Sequence, residues 1–176
     1  MTPGIEAVAA AAAKIPGVAP LFWSMAYDRV QATPRLYFLF EDEIPVMDVH
    51  PLLAAAHLSH RLPELVSMAT RLTGNGWTLP ARSTVFSVRD RGGVLDCKLE
   101  FLTSAARHSA PALRAGVRDL LRDRPETRSA LHHWAAAIGE DGLPERLHVV
   151  GGRVSASHGM RFGLYAGPAS WRSTAA

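Results

Sequence analysis

The sequence predicts an α+β fold in which antiparallel β-hairpins alternate with pairs of helices on one side of the sheet. Three apolar segments, residues 21–40, 83–104 and 146–167, each contain two strand-like stretches around breaker residues, as hairpins do. Near the start of each second strand stands a cation, and these three cations, Arg35, Lys98 and Arg161, are 63 residues apart in both intervals. Fixed spacing of this kind indicates an internal structural repeat.

A short helix is predicted before the first hairpin, because "IEAVAAAAAKIPG" is apolar but short and includes Glu6. Its length and charge do not fit a signal peptide or a membrane span. The first hairpin turns within "DRVQATP". Residues 48–74 then predict two short helices, with Pro63 in the first turn of the second and Gly74 at its end. An amphipathic stripe of the second helix is formed by Leu65, Met68, Ala69 and Leu72.

The second hairpin turns at "DRGG", whose glycines suit the positive φ angles of a tight turn. The helical pattern returns over residues 111–139, where Pro125 divides two helices 62 positions after Pro63. The third hairpin turns at "SHG". The sequence therefore predicts one domain, residues 1–176, containing a short helix, three hairpins and two helix pairs.

Composition favours an ordinary globular protein, with 48% hydrophobic and 20% charged residues and a net charge of +3. Arg114, Arg118 and Arg122 follow one helical face near acidic residues, which is typical of a solvated face and not of a nucleic-acid surface. The single cysteine, Cys97, cannot form an internal disulfide, so a cytoplasmic location is expected. Strand alternation places Cys97 on the apolar face, as a buried hydrophobe rather than a nucleophile.

The alternation of side chains gives every second strand one apolar and one polar face. On the first hairpin, for example, Phe38 and Phe40 share a face, whereas Arg35 and Tyr37 share the other. The helices are expected to cover the apolar face. Two arrangements stay open for the polar face: an open sheet whose polar side meets water, or a closed barrel whose polar side lines a lumen.

Helix pairs alternating with hairpins, together with the motifs "RLY" at residues 35–37, "KLE" at 98–100 and "RFGLY" at 161–165, resemble the ABBA-type aromatic prenyltransferases. In that family five such repeats close a ten-stranded barrel around the active site. The resemblance implies that an allylic diphosphate binds without an obligatory metal or cofactor. The cations would hold the diphosphate, Tyr37 and Tyr165 would donate hydrogen bonds to it, and Glu100 or Asp96 would accept a proton from the acceptor.

Three hairpins supply six strands, and Glu100 and Gly163 stand where the repeated pattern would have tyrosine. The chain thus resembles a shortened relative. We expect a prenyltransferase-like protein that binds a prenyl diphosphate and an aromatic or peptide acceptor, alone, as a homo-oligomer or with a partner subunit. The alternative is a non-catalytic accessory or peptide-binding subunit of a biosynthetic pathway. Neither a nucleic acid nor a membrane is expected as a partner.

Two further groups of polar residues do not match a known metal-binding or catalytic motif. His50, His57 and His60 lie within one predicted helical segment, but neither HExxH nor CxxC accompanies them, so surface or packing histidines are favoured over a zinc site. Ser155, Ser157 and His158 are close in sequence, yet a triad also needs a placed acid. Hydrolase chemistry is therefore not expected.

Overall fold

The computed structural model describes residues 1–27, 32–122, 125–137 and 147–166. The strands are β1 (Val18–Tyr27), β2 (Ala32–Phe40), β3 (Ile44–Pro45), β4 (Thr78–Leu79), β5 (Thr84–Arg91), β6 (Val94–Leu102), β7 (Leu147–Ser155) and β8 (Arg161–Ala166). Six of them form one sheet in the order β1-β2-β5-β6-β7-β8, and every neighbouring pair is antiparallel. The predicted α+β fold with an antiparallel sheet is confirmed. The small β3–β4 pair was not predicted.

The sheet is open. Within the described ranges, β1 pairs only with β2 and β8 pairs only with β7, so the two outer strands do not meet. Of the two arrangements that the sequence left open, the closed barrel with a lumen is therefore not the one that the chain forms. The physical reason is the strand number, because six strands are too few for the ten-stranded closure that the resemblance implied.

The helices are α1 (Pro3–Ala12), α2 (His50–Ala55), α3 (Leu62–Thr73), α4 (Ala110–Leu120) and α5 (Pro125–Ala137), with 3-10 turns at Val46–Val49, Ser59–Arg61 and Thr103–Ala105. Both predicted helix pairs are present. Pro63 stands in the first turn of α3, and Gly74 ends that helix with a left-handed φ of 67°. The predicted helix end at Gly139 and most of the turn "DRVQATP" lie outside the described residues.

One hydrophobic core joins the helices to a single face of the sheet, which we call the helix face. Phe38, Phe86 and Phe101 from the strands are fully buried, as are Leu65 and Met68 from α3. Cys97 is buried in the same core, as the alternation predicted. Each buried aromatic side chain contributes about 1.5–3 kcal/mol by leaving water, so this layer holds the strands in register.

The opposite face of the sheet is called the polar face. Its charged and hydroxyl-bearing residues on β2 and β5–β8 are Thr33, Arg35, Tyr37, Ser87, Arg89, Arg91, Asp96, Lys98, Glu100, Arg153, Ser155, Arg161 and Tyr165. The strand alternation that puts apolar residues in the core brings these side chains together. A search of the described helices for one long and apolar enough to cross a membrane finds none.

Candidate anion-binding face

The register of the sheet places cations directly opposite one another on the polar face. Arg35 of β2 pairs with Arg89 of β5, and Lys98 of β6 pairs with Arg153 of β7. Arg153 pairs in turn with Arg161 of β8. Like charges at directly opposite positions destabilise a sheet. Three such contacts in one sheet indicate that the face is arranged for something other than the stability of the empty protein.

Burial makes these charges more costly. Lys98 is only 5% exposed and Arg89 only 7% exposed, whereas Arg91 and Arg161 on the same face are exposed. The polar face is thus a depression with a buried centre and an accessible rim. Charges act over a low effective dielectric in such a depression, so a cation there attracts an anion more strongly than a surface cation does.

One end of the polar face contains a cavity of about 280 Å³, which we call the arginine cavity. Four arginines line it together with a single carboxylate, that of Asp96. Its lining residues are Arg89, Arg91, Val94, Asp96, Arg153, Ser155, Ser157, His158, Gly159 and Arg161. Guanidinium groups present forked N–H donors that match the oxygens of phosphate and carboxylate. The charge and donors of this cavity suit an oxyanion.

Two arginines of the arginine cavity have N–H donors without a hydrogen-bond partner among the described residues. Arg89 forms an ion pair with Asp96, but its buried Nε has no hydrogen-bond partner among the described residues. The Arg153 side chain forms no hydrogen bond or ion pair with any residue that the structure describes. Burial, followed by the charges of Arg89 and Arg35, lowers the pKa of the Arg153 guanidinium, and Asp96 only partly opposes this. An anion in the cavity would offset the positive charge of both arginines.

A second cluster lies at the centre of the face, around Lys98. The Lys98 ammonium donates hydrogen bonds to the carboxylate of Glu100 and to the hydroxyl of Tyr165, the latter at 2.6 Å. It also lies 4.7 Å from the centre of the Tyr165 ring. Gly163 provides the space for this cluster, since a Cβ at that position would stand 3.3 Å from Lys98 Nζ.

Arg35 and Tyr37 form a similar pair near the other edge of the sheet. The Arg35 guanidinium donates to the Tyr37 hydroxyl at 3.0 Å, and the Tyr37 ring stacks on Phe22 with centroids 4.2 Å apart. Each tyrosine oxygen accepts a hydrogen bond from a cation. The O–H group of the tyrosine can therefore rotate and donate to a ligand. An apolar cavity of about 290 Å³ adjoins this aromatic pair, and Val85 and Leu102 also line it.

The structure brings all seven predicted site residues onto one face, in three groups. Lys98, Glu100 and Tyr165 touch one another, Asp96 and Arg161 line the arginine cavity, and Arg35 and Tyr37 form the edge pair. The three repeated cations do not form one cluster, because β5 separates Arg35 from Lys98.

Sequence reasoning missed Arg89 and Arg153, which lie on the first strands of the second and third hairpins. The signal was present. In "TVFSVRDR" Arg89 alternates with the core residues Phe86 and Val88, so the same alternation that assigned Lys98 to the polar face would have assigned Arg89.

Both predicted carboxylates are engaged by cations. Asp96 pairs with Arg89 and lies 3.8 Å from Arg91 Nε, and Glu100 pairs with Lys98. Among the described residues, no three His, Cys, Asp or Glu side chains are grouped so as to hold a metal ion. Sequence comparison adds no assignment, since no protein-family model and no curated protein matches the chain.

Proposed function

We propose that the polar face binds an organic diphosphate with an apolar tail, of the allylic prenyl type, and that the chain is a prenyltransferase-like protein. The observation that carries this proposal is the set of facing, partly buried cations, in particular Arg153 opposite both Lys98 and Arg161. Such an arrangement is repulsive when empty and becomes favourable when a multiply charged anion lies between the cations.

The position of the apolar cavity favours an amphiphile over a simple phosphate. Arg89 borders the arginine cavity, and Val85, four residues earlier on the same strand, borders the apolar cavity. At about 3.3 Å per residue the two regions are roughly 13 Å apart. A ligand whose diphosphate occupies the arginine cavity would extend its tail past Lys98 towards Phe22 and Tyr37. The aromatic rings there suit the far end of the tail, with its apolar chain and distal double bond.

The chemistry that follows is ionisation of the allylic C–O bond. The diphosphate leaves with the bonding electron pair, and its added charge is stabilised by Arg89, Arg153 and Lys98. The electron-rich ring of an acceptor forms the new bond to the allylic carbon, and the ring proton passes to a base. Glu100 stands at the centre of the face and is the proposed base; it would act from its ion pair with Lys98.

The open sheet favours a second candidate, a non-catalytic accessory subunit that binds the same ligand or a peptide. An allylic cation needs a site from which water is excluded. The rim of this face is exposed at Phe22, Arg161 and Tyr165, and both carboxylates are already paired. A binding protein requires the cations and the apolar cavity but no free base, which is the arrangement present here.

Binding and turnover are measured separately to distinguish these candidates. A non-hydrolysable geranyl thiolodiphosphate is titrated by calorimetry into the protein, into Arg153→Gln and into Arg118→Gln. Arg118 is an exposed arginine of α4 and serves as the matched control. We expect binding to the native protein and to the control, with a loss of about tenfold or more in Arg153→Gln, since a charged hydrogen bond contributes about 1.5–3 kcal/mol.

Absence of binding to the native protein would remove both forms of the proposal that use a prenyl diphosphate. If binding is found, the protein is incubated with geranyl diphosphate and an indole acceptor, and products are followed by mass spectrometry. A prenylated product that Glu100→Gln does not form supports the enzyme. Binding without any product supports the accessory subunit.

A further inference from the structure

The outer strand β1 is unusually apolar for the edge of a sheet. None of its residues, Val18–Tyr27, is charged. Edge strands normally carry charges, prolines or bulges, which prevent pairing with another chain. Pro20 and the register shift that follows it protect only the beginning of β1. Residues 22–27 pair regularly with β2 and have neither device on their outer side.

The exposed apolar side chains of β1 lie on both faces of the sheet. Phe22, 51% exposed, is on the polar face, whereas Trp23, 70% exposed, and Met25 are on the helix face. Beside them, on the helix face, is an apolar cavity of about 400 Å³ that Ile5 and Leu36 also line. A partner strand that pairs along β1 contacts exposed side chains of both faces, whereas a partner that covers one face leaves the other exposed.

We propose that this partner is a second copy of the chain, paired through β1 in antiparallel fashion about a two-fold axis. The exposed strand is uncharged, so it can pair with itself without the like-charge repulsion that a charged edge would suffer. A two-fold interface requires such a self-complementary surface. The second copy continues the sheet beside Phe22 and brings its own helix layer next to Trp23 on the helix face.

The regular segment also fixes a register. When the two-fold axis is perpendicular to the sheet, directly opposite side chains point to the same face. An odd-numbered residue of β1 therefore lies opposite an odd-numbered residue of the partner's β1, and an even-numbered residue opposite an even-numbered one. Centring the pair on Ser24 uses the regular segment and places Trp23 opposite Met25 of the partner subunit on the helix face. The two apolar side chains then lie at the mouth of the cavity near Leu36.

Native mass tests the association. Sedimentation equilibrium is run on the native protein, on Trp23→Lys and on Trp77→Lys. Trp77 is a matched control, because it is 66% exposed but lies outside β1. We expect a dimer for the native protein and the control, and a monomer for Trp23→Lys. A monomeric native protein, or equal dissociation of the two variants, overturns the proposal. Because the Trp23 side chain is exposed, Trp23→Lys is expected to fold, and circular dichroism checks that the variant is folded.

Cross-linking tests the register. In an antiparallel pair centred on Ser24, the two Ser24 Cα atoms lie about 4.5–5.5 Å apart, which is within reach of a disulfide. Ser24→Cys is expected to form a covalent dimer on mild oxidation. Ser104→Cys, another serine on the surface, is the control and is expected to stay monomeric on a denaturing gel; the native Cys97 is buried. Failure of Ser24→Cys to cross-link, or equal cross-linking of both variants, overturns the register. This proposal does not depend on the diphosphate.

Discussion

Arg153 lies directly opposite Lys98 in the register of β6 and β7, so two cations share one cross-strand pair on the polar face. Arg161 lies opposite Arg153 on its other side, and burial, followed by the charge of Arg89, lowers the pKa of the Arg153 guanidinium. The fold places Arg153 among cations, and its side chain forms no ion pair with an acidic residue of the described ranges. The polar face therefore contains a repulsion that an anion would relieve.

Removing this charge should stabilise the empty protein. For Arg153→Gln we expect the free energy of unfolding to rise by about 0.5 kcal/mol, because opposite like charges cost about 0.2–1 kcal/mol and Arg153 is partly exposed. Urea unfolding measures the change. Arg118→Gln, on the surface of α4, should leave stability nearly unchanged. A clear loss of stability in Arg153→Gln would mean that the guanidinium has a stabilising role in the empty protein.

Anions should raise the melting temperature through the same residue. Inorganic diphosphate at about 100 times its Kd would stabilise the folded state by about 2.7 kcal/mol, or roughly 5–10 °C for a chain of this size. General salt effects act on all variants. The specific effect is therefore the difference between native protein and Arg153→Gln in differential scanning fluorimetry. Equal shifts in both proteins would argue against a site at Arg153.

The pair of Lys98 and Glu100 permits a sharper test of buried charge. Lys98→Met leaves the Glu100 carboxylate without its ammonium partner, and breaking a buried pair in this way costs about 3 kcal/mol. Changing Glu100→Gln in addition removes the uncompensated charge. We expect the double variant to recover at least half of the lost unfolding free energy. A double variant as unstable as Lys98→Met would show that Lys98 acts through packing and not through charge.

The sequence predicts which face of each strand is polar. It does not predict the register, that is, which residues of neighbouring strands lie opposite one another. Alternation alone separated Phe38 and Phe40 from Arg35 and Tyr37, because one residue along a strand always reverses the face. Which residues lie opposite one another depends on the order and offset of strands, and these are set by packing across the whole core. Arg35 and Lys98 were therefore expected to act together, whereas β5 lies between them.

Closure of the sheet could be predicted only in part, because six strands are too few for a ten-stranded barrel but do not by themselves decide whether a smaller barrel closes. The repeat predicts how many hairpins there are, but whether the edge strands meet depends on the twist and tilt accumulated over all six strands. The arginine cavity has the same origin, since Arg89 and Arg153 come from different hairpins and reach one cavity only because β5 and β7 both neighbour β6 in the sheet. The sequence therefore predicts which side chains of one strand share a face, but not which side chains of different strands form one site.

Two glycines that face each other on the polar face should differ in their tolerance of a methyl group. A Cβ at Gly151 would stand 2.9 Å from the carbonyl oxygen of Leu99 and 2.6 Å from Glu100 Cγ, and the backbone oxygen cannot yield. We expect Gly151→Ala to cost about 1–3 kcal/mol of unfolding free energy. At Gly163 the nearest atom is the end of the Lys98 side chain at 3.3 Å.

The control variant is Gly163→Ala, for which a loss below about 1 kcal/mol is expected, since a lysine ammonium adjusts more easily than a strand carbonyl. Chemical denaturation of both variants under the same conditions makes the comparison. Equal losses would indicate that the Lys98 cluster is as rigid as the backbone. In that case Lys98 would be held in place before any ligand binds.

The buried thiol of Cys97 should make stability fall at alkaline pH. Burial, followed by the charge of Asp96, raises the pKa of this thiol well above its ordinary value. The unfolded chain loses the thiol proton near pH 8.5, whereas the folded protein retains it. The stabilising contribution is therefore fully present below about pH 8.5 and is lost as the pH rises towards the folded-state pKa.

For one such group the free energy of unfolding falls by up to about 1.4 kcal/mol per pH unit above pH 8.5. Cys97→Ala removes this titration and leaves the tyrosines and lysines that ionise in the same range. Urea unfolding of both proteins between about pH 8.5 and 10.5 should therefore give a steeper decline for the native chain, by nearly that amount. Parallel declines would mean that Cys97 ionises in the folded protein. It would then react with a thiol reagent before unfolding, contrary to its burial in the core.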